Sequence, residues 1–434
     1  MNNNTYLKES FDRLNLPGSS PLSSIRKAAF KSFDVMGIPT VRHEEWKYTR
    51  ISSLFNKEYQ VSFQNPTSLN AAEFAPLRLP GHEDASELVF VNGMYVPGLS
   101  NLKASAFGIT SLEEAAANQY SEIVSEHFNH SSKYLTDGVQ ALNTAFIDGG
   151  VFMHVQPRKF VKYPVYIYNI TDARVASVLS QPRSLIHIGQ GAQVQLVETY
   201  ITLGTSESMT NEVMEIVVEQ DAILEYYKIQ NDQSSASQVS TTHIRQVGKS
   251  VVHTVTVSLN GGIVRNNLHA VLGARFAEAH LYGLYFQQGQ SHIDNHTIVD
   301  NVMPDCQSNE LYKGILDNNS TGVFNGKIFV RKDAQKTNAF QSNKNVLLSE
   351  NANVNTKPQL EIFADDVKCS HGCTIGSLDE EGLFYLQSRG VPKTQAMALL
   401  LQGFALDILE KIKPAPIRAY VEDLIAQRLT ADVL

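Results

Sequence analysis

The stretch "GQGAQVQL" at residues 189–196 places a small residue, Ala192, between a polar, Gly-rich pair and an aliphatic strand segment. The same order, a polar or Gly pair, then a small residue, then a strand, returns along the chain. A small residue at a tight corner is what each coil of a parallel β-helix requires, because bulky corners of stacked coils would clash. The corner residues that this pattern predicts are Ala192, Ala222, Ser250, Ala274, Ala334 and Ala352.

The strand segments between these corners support a repeating architecture. They are rich in Val, Ile and Tyr, alternate with period two, and are broken by Gly, Asn, Asp and Ser clusters. Roughly one corner per twenty to thirty residues is typical of a solenoid. A β-sandwich whose turns happen to contain Ala is the alternative that stays open. The segments are VFMHVQ (151–156), YPVYIYNI (163–170), SLIHIG (184–189), VQLVETYITL (194–203), EVMEIVVE (212–219), AILEYYKIQ (222–230), VVHTVTVSL (251–259) and EAHLYGLYF (278–286).

Both ends of the chain show helical patterns instead. Residues 22–36 carry apolar side chains along one face and precede Gly37, where a helix would end. Residues 111–128 predict a helical insertion or cap within the strand region, and Trp46, the only tryptophan, is predicted to be a packing anchor. Three apolar stripes after residue 376 predict a helical domain. The predicted domains are residues 1–84 (helical), 85–375 (parallel β-helix core) and 376–434 (helical).

Composition excludes several classes of protein. The 434 residues have 43% hydrophobic and 18% charged side chains and a net charge of -8, which is typical of a soluble globular protein. No segment clusters the Lys and Arg that nucleic-acid binding needs, and no apolar run approaches a membrane span. The first residues, "MNNNTYLKES", lack the order of a secretory signal, so a cytoplasmic location is predicted. Three cysteines cannot form a disulfide framework, so reduced thiols are expected.

The stretch "ADDVKCSHGCTIG" at 364–376 holds the most informative candidate site. Cys369, His371 and Cys373 alternate, so on a strand they share one face. Thiolates and imidazole are ligands for zinc, iron or an iron-sulfur unit. Neighbouring same-face side chains are about 6.6 Å apart, which is wide for one ion, and a fourth ligand must come from elsewhere. The alternative is that these residues pack under the last coil, with His371 hydrogen-bonded and the thiols inert.

Two other motifs are less informative. "GVFNGK" at 322–327 lacks the spacing and the Ser or Thr of a nucleotide-phosphate loop, which argues against ATP binding. His292, Asp294 and His296 have strand spacing and could bind a metal, but such a polar run also fits a solvated turn, so their role stays open. No Gly-x-Ser-x-Gly elbow of a hydrolase occurs.

The stretch "KPQLEIFADDVKCSHGCTIGSLDEEGLFYLQSRG" at 357–390 strongly resembles the C-terminal signature of the SufB/SufD family, the β-helical subunits of the SUF iron-sulfur cluster assembly complex. Further matches at 323–352, 142–155 and 39–55 extend the resemblance over nearly the whole chain. Chain length and "KPQLEIFADDVKCSHG" favour the SufD branch over the longer SufB branch. The resemblance implies a right-handed parallel β-helix between helical N-terminal and C-terminal domains.

The resemblance also implies partners. It predicts that the β-helix pairs with a SufB-like subunit, or with a second copy as a homodimer in isolation, and that the C-terminal helices dock a SufC-like ATPase. The chain is then a scaffold without catalytic turnover, and ATP hydrolysis belongs to the SufC-like partner. Docking candidates on the second C-terminal helix are Met397, Leu401, Phe404 and Ile408.

The family's Cys-Ser-His-Gly motif maps onto Cys369 and His371, and the resemblance implies that the histidine faces a partner cysteine where a nascent cluster forms. The position that is commonly Ala in the family is Cys373 here, so a ligand role for Cys373 stays open. Iron or a nascent cluster is expected only transiently, with no tightly bound cofactor. Two alternative functions remain: a polysaccharide-acting β-helix enzyme, and a purely structural subunit with no ligand role.

Overall fold

The computed structural model of the chain describes residues 5–14, 20–61 and 69–431. Within these ranges the helices gather near the two ends of the chain and in one insertion between early strands. Their bounds are α1 Thr5–Arg13, α2 Ser23–Met36, α3 Ala71–Phe74, α4 Leu112–Ala117, α5 Ser121–His127, α6 Gly138–Ala145, α7 Glu380–Ser388, α8 Lys393–Leu409 and α9 Ala415–Ala431. No helix within the described ranges is long and apolar enough to cross a membrane.

The strands make up most of the chain between these helical parts. Their bounds are β1 Gln60–Val61, β2 Ser86–Val91, β3 Met94–Tyr95, β4 Phe107–Ser111, β5 Val151–Val155, β6 Val165–Asp172, β7 Val178–Ser180, β8 Arg183–Ile188, β9 Gln193–Leu203, β10 Ser208–Val218, β11 Ile223–Asn231, β12 Ala236–Gln246, β13 Val251–Asn260, β14 Ile263–Leu272, β15 Glu278–Gln287, β16 His292–Asn301, β17 Gln307–Leu316, β18 Thr321–Val330, β19 Asn338–Leu347, β20 Asn353–Ile362 and β21 Lys368–Gly376. Strand β1 lies within the predicted N-terminal helical domain, and the division into domains stays a prediction.

From β8 onward, successive strands alternate between two sheets. Sheet A runs β20-β18-β16-β14-β12-β10-β8-β5-β4, with β7 and β1 alongside, and sheet B runs β21-β19-β17-β15-β13-β11-β9-β6-β2-β3. Neighbouring strands are parallel throughout the coils, and within the described ranges the antiparallel strand pairs lie at the first end, between β2 and β3 and between β4 and β5. The parallel β-helix prediction is therefore confirmed, with about eight turns, and the sandwich alternative is wrong.

The corners that lead into the strands of sheet B follow the predicted chemistry, with two corrections. One is that Ala352 leads into β20 of sheet A and therefore lies at a different corner of the coil. Ala192, Ala222 and Ser250 are buried at successive corners, and the first two follow residues with positive φ. Ala274, which was predicted at the corner after Ser250, is only half-buried. The buried residue at that corner is Ala277. The corner after that is filled by Cys306, which is fully buried. A search for Ala and Ser alone therefore shows an apparent gap in a regular repeat.

The interior of the solenoid is partly polar, which explains why several strands were not predicted from the alternation of apolar residues. Lys228 Nζ lies 3.6 Å from Glu198 Oε2 and donates to Ser240 Oγ at 2.8 Å. Asn266 Nδ2 donates to Gln230 Oε1 at 3.0 Å in the same buried layer. Such groups are tolerated inside a protein because they satisfy one another. The strands that supply these Asn, Gln, Ser and Thr side chains therefore lack the apolar alternation that marks the others.

The helices cover the outer faces of the two sheets. Leu401 and Ile408 of α8 and Val421 of α9 belong to one apolar cluster with Phe286 of sheet B. Trp46, 1% exposed, packs with Phe33, Leu142 and residues of sheet A, which confirms its predicted anchoring role. Its Nε1 donates to Asp137 Oδ2 at 2.9 Å.

Candidate functional site

Strand β21 carries the predicted site and is the last strand of sheet B. It pairs with β19 on one side, and its other side is the end of the sheet. Every residue of β21 is exposed except Cys369, which is half-buried. An edge strand presents unpaired backbone N–H and C=O groups that can accept another strand. His371 and Cys373 are thus accessible on an open edge.

The register of β21 places His371 at the end of a row of buried polar side chains. His371 pairs with Gln341 of β19, which pairs with Glu310 of β17. Paired residues of parallel strands lie on the same face, so His371 shares the face of two buried residues. Gln341 Nε2 donates to Glu310 Oε2 at 2.6 Å. Among the described residues we find no hydrogen bond from the His371 ring, so the predicted alternative of a hydrogen-bonded, packed histidine is not what the structure shows.

Glu310 is the titratable group of this row. Burial raises the pKa of its carboxyl from 4.5 to about 7, although the hydrogen bonds that it accepts oppose the rise. The carboxyl is consequently protonated in part near neutral pH, two strands inward from His371.

The three cysteines have different surroundings. Cys373 is exposed, and Cys369 is half-buried, where burial raises the pKa of its thiol. Cys306 is fully buried, its Sγ donates to the Ala274 carbonyl at 3.3 Å, and burial raises its pKa to about 11. Cys306 is therefore a corner residue of the coil, whereas Cys373 is the accessible thiol.

The donor set on β21 suits iron in chemistry but is incomplete in number. Two thiols and an imidazole are soft or borderline ligands. Within residues 5–14, 20–61 and 69–431, no group of three or more His, Cys, Asp or Glu side chains is arranged to hold a metal ion. Ligand roles for Cys369, His371 and Cys373 therefore stay predictions.

His292, Asp294 and His296 do not form the solvated turn that the sequence favours; they lie on β16 in sheet A. Asp294 is 1% exposed, and its Oδ2 lies 2.9 Å from Arg265 Nη1, while its Oδ1 lies 3.0 Å from His296 Nε2. Burial would raise the pKa of Asp294, but His296 and Arg265 lower it overall. The guanidinium carbon of Arg265 lies 3.9 Å from the centroid of the Trp46 ring, so this cluster holds the N-terminal region against sheet A. It is not part of a three-ligand metal site among the described residues.

The C-terminal docking candidates divide into two groups. Leu401 and Ile408 are 2% and 0% exposed against sheet B, so their side chains belong to the core of this chain. Met397 and Phe404 are half-buried. The exposed apolar side chains lie off this stripe and were missed, because helical periodicity identifies the face that packs inward. These side chains are Phe384, Tyr385, Leu399 and Leu406.

A second group of exposed apolar side chains lies on the last strands of the solenoid and just after β20. Phe340, Ile362, Phe363 and Ile375 are 43%, 39%, 57% and 50% exposed. Exposed apolar groups beside an open sheet edge indicate association with another chain. The fold and the site together define a β-solenoid protein whose open end carries exposed apolar side chains and the candidate donors of β21.

Comparison with known proteins narrows this class. The family model for the SUF system FeS cluster assembly SufBD core domain matches residues 169–404, and that for the SufBD protein N-terminal region matches residues 4–167. An iron-sulfur cluster assembly SufBD family protein of Synechocystis is 31% identical over 426 residues, 94% of this chain and 91% of the relative. Iron-sulfur cluster assembly protein SufD of Escherichia coli is 29% identical, covering 91% and 90%. SufD of Bacillus subtilis is 24% identical, covering 72% and 71%.

The chain belongs to the SufBD family of iron-sulfur cluster assembly proteins. The family resemblance that the sequence motifs predict is thereby confirmed.

Proposed function

We propose that this chain is a non-ATPase scaffold subunit for iron-sulfur cluster assembly. It pairs through the open end of its solenoid with a SufB-like subunit or with a second copy of itself. Its C-terminal helices dock a SufC-like ATPase, which hydrolyses ATP. His371 assists formation of a nascent cluster, or acquisition of iron, where the two subunits meet. The exposed, unpaired edge of β21 is the observation on which this proposal rests.

The open end supports pairing because its backbone and side chains both favour association. Strands β20 and β21 end sheets A and B, so each offers hydrogen-bonding groups to an incoming strand. Phe363 and Ile375, each at least half exposed, add apolar area that pairing would remove from water. A partner on this edge would lie directly beside His371.

The surroundings of the donors favour His371 over Cys369 as the first contact with iron. Metal ligation by cysteine requires the thiolate, and burial raises the pKa of Cys369, which disfavours that form. His371 and Cys373 are exposed at alternate positions, so either can reach a cluster held between two subunits. The remaining ligands would come from the partner, and the cluster is cargo that leaves the site.

Docking of the ATPase would use the exposed apolar side chains of α7 and α8. Phe384 is 73% and Tyr385 58% exposed, and Leu399 and Leu406 are about half exposed. The buried residues of α8 hold the helix on sheet B and thereby fix the position of this surface. Met397 and Phe404 stay candidates at its margin.

The experiment compares His371→Ala with His280→Ala in a complex co-expressed with the SufB-like and SufC-like partners. His280 is a half-buried histidine on β15 of the same sheet and serves as the matched control. After anaerobic reconstitution, iron content and cluster absorption are measured, and assembly is followed by size-exclusion chromatography. We expect both variants to assemble and only His371→Ala to lose cluster, by several-fold. Equal cluster yield in both variants would select the purely structural alternative.

A further inference from the structure

A polar cleft of about 500 Å³ lies on the outer face of sheet A, away from the donors on β21. Its floor is formed by β14, β16 and β18, and its walls are the segment 130–136 and the residue Glu45. The residues that line the cleft come from distant parts of the sequence, so no single sequence motif predicts it.

The floor of the cleft presents basic and imidazole groups in register. Arg265 and His269 lie on the outer face of β14, and His269 pairs through Ile298 of β16 with Lys327 of β18. Lys133 lines the wall above them, in the 3-10 helix His130–Lys133. Tyr134 follows Lys133, and its ring centroid lies 6.0 Å from that of His269.

Two buried side chains of the floor carry nitrogen atoms without partners. Arg265, 0% exposed, donates from Nε to Asn267 and from Nη1 to Asp294 and to the Glu45 carbonyl, which leaves Nη2. Among the described residues, neither Arg265 Nη2 nor His269 Nδ1 has a hydrogen-bond partner. Asn325 Oδ1, an acceptor that also lines the cleft, is buried without a partner as well. Buried polar atoms are nearly always satisfied in native proteins, so the two unpartnered nitrogens indicate acceptors supplied by a ligand, and Asn325 can accept from a hydroxyl of the same ligand.

The charges around the cleft favour an anion. Lys133, Arg265, Lys327 and Arg331 line it against the single lining carboxylate of Glu45. Arg331 is held by Asp300, Arg265 by Asp294 and Lys327 by Glu45, whereas exposed Lys133 has no ion-pair partner within the described part of the chain. Burial, with His296 and Arg265, lowers the pKa of His269 to about 3, so the imidazole is neutral and can donate a hydrogen bond.

We propose that this cleft binds a small polyvalent oxyanion, either free or as the anionic group of a small molecule. Arg265 Nη2 and His269 supply hydrogen bonds from the floor, and Lys133 supplies unpaired positive charge from the wall. Guanidinium and ammonium groups recognise phosphate and carboxylate oxygens in this way. The volume of the cleft is in the range that small molecules occupy.

The test is isothermal titration calorimetry of the full chain with pyrophosphate and, separately, with citrate at constant ionic strength. We expect saturable binding of at least one anion, and the tighter of the two identifies phosphate or carboxylate chemistry. Lys133→Ala is expected to weaken it by about tenfold. Lys133→Glu is expected to abolish it. Lys159→Ala removes an exposed lysine outside the cleft and is expected to bind as the unaltered chain does.

Circular dichroism checks that each variant is folded. Because Lys133 is exposed, its substitution should not disturb the fold. Absence of saturable binding for both anions would overturn the proposal. Binding to Lys133→Ala with unchanged affinity would also overturn it, since the anion would then lie elsewhere.

Discussion

The candidate donors on strand β21 differ in their exposure to solvent. Cys369, His371 and Cys373 alternate along β21, yet Cys369 is half-buried while the other two are exposed. The sequence motif predicts their common face, because alternation on a strand is geometric. It does not predict the difference in exposure, which depends on how Cys369 packs beside Ala339 of β19.

The cysteines are expected to react with iodoacetamide in the order Cys373, Cys369 and then Cys306. Alkylation requires an accessible thiolate; Cys373 is exposed, while burial disfavours the thiolates of Cys369 and Cys306. Mass spectrometry of the folded chain over time measures the order, and alkylation in denaturant supplies the control. Labelling of Cys306 as fast as Cys373 would contradict the corner position of Cys306.

Glu310 is expected to make the stability of the chain depend on pH. Folding raises its pKa from 4.5 to about 7, so the folded state keeps a proton that the unfolded chain loses between these values. This contribution to stability is fully present below pH 4.5 and is lost as pH rises through 7, at about 1.4 kcal/mol per pKa unit. The total is about 3 kcal/mol.

Urea unfolding at pH 5 and pH 8 measures this effect, with Glu310→Gln as the control that stays neutral. The unaltered chain should lose about 2.5 kcal/mol more than Glu310→Gln over this interval, because part of the effect is already lost at pH 5. A parallel pH dependence in the two proteins would show that Glu310 ionises normally in the folded chain.

Some of the strands and helices could be predicted from the sequence, and others could not. β9, β11 and β13 alternate apolar residues and were predicted, whereas β16 reads as a polar turn. Its inward residues include Asn295, which accepts from Asn266 at 3.1 Å inside the solenoid. A polar interior removes the contrast between the two faces of a strand, so the period of two is hidden. The helical pattern at 111–128 was predicted but is divided into α4 and α5.

Helix α8 has one face buried in the core and another that is exposed and proposed to bind the ATPase, and substitutions should separate the two. Leu401→Ala is expected to lower the free energy of unfolding by about 2–5 kcal/mol, because Leu401 is buried against sheet B. Leu399→Ala, on a 52% exposed residue, should change it by less than about 0.5 kcal/mol.

The second readout for these variants is affinity for the SufC-like ATPase, measured by calorimetry. Leu399→Ala should weaken it, and Leu401→Ala should act mainly on stability. If Leu399→Ala leaves that affinity unchanged, the exposed face of α8 is not the docking surface.

At the scale of the whole molecule, the repeat of buried corners could be predicted because every coil must turn at the same place. Ala192, Ala222 and Ser250 reveal it, while Cys306 hides one corner from a search for Ala and Ser. The open end could be located through His371 and its family motif. The anion cleft could not, because Lys133 and Arg265 are brought together only by the folding of the insertion onto sheet A.

Pairing through the open end should depend on its apolar side chains. Phe363→Asp combined with Ile375→Asp places two carboxylates where association would bury them, so dimers or heteromers should dissociate. Size-exclusion chromatography with light scattering measures the effect. Leu102→Asp, at a 45% exposed residue of the N-terminal end, is the control and should not alter association. Equal association of both variants would place the interface elsewhere.

Hydrogen exchange of strand β21, read by mass spectrometry, tests the central claim most directly. The amides of residues 368–376 are compared in the dilute isolated chain and in the chain saturated with the SufB-like partner. If the edge beside His371 is the pairing surface, the amides on its free side should exchange at least tenfold more slowly in the complex. Unchanged exchange in β21, with protection elsewhere on the solenoid, would contradict the account.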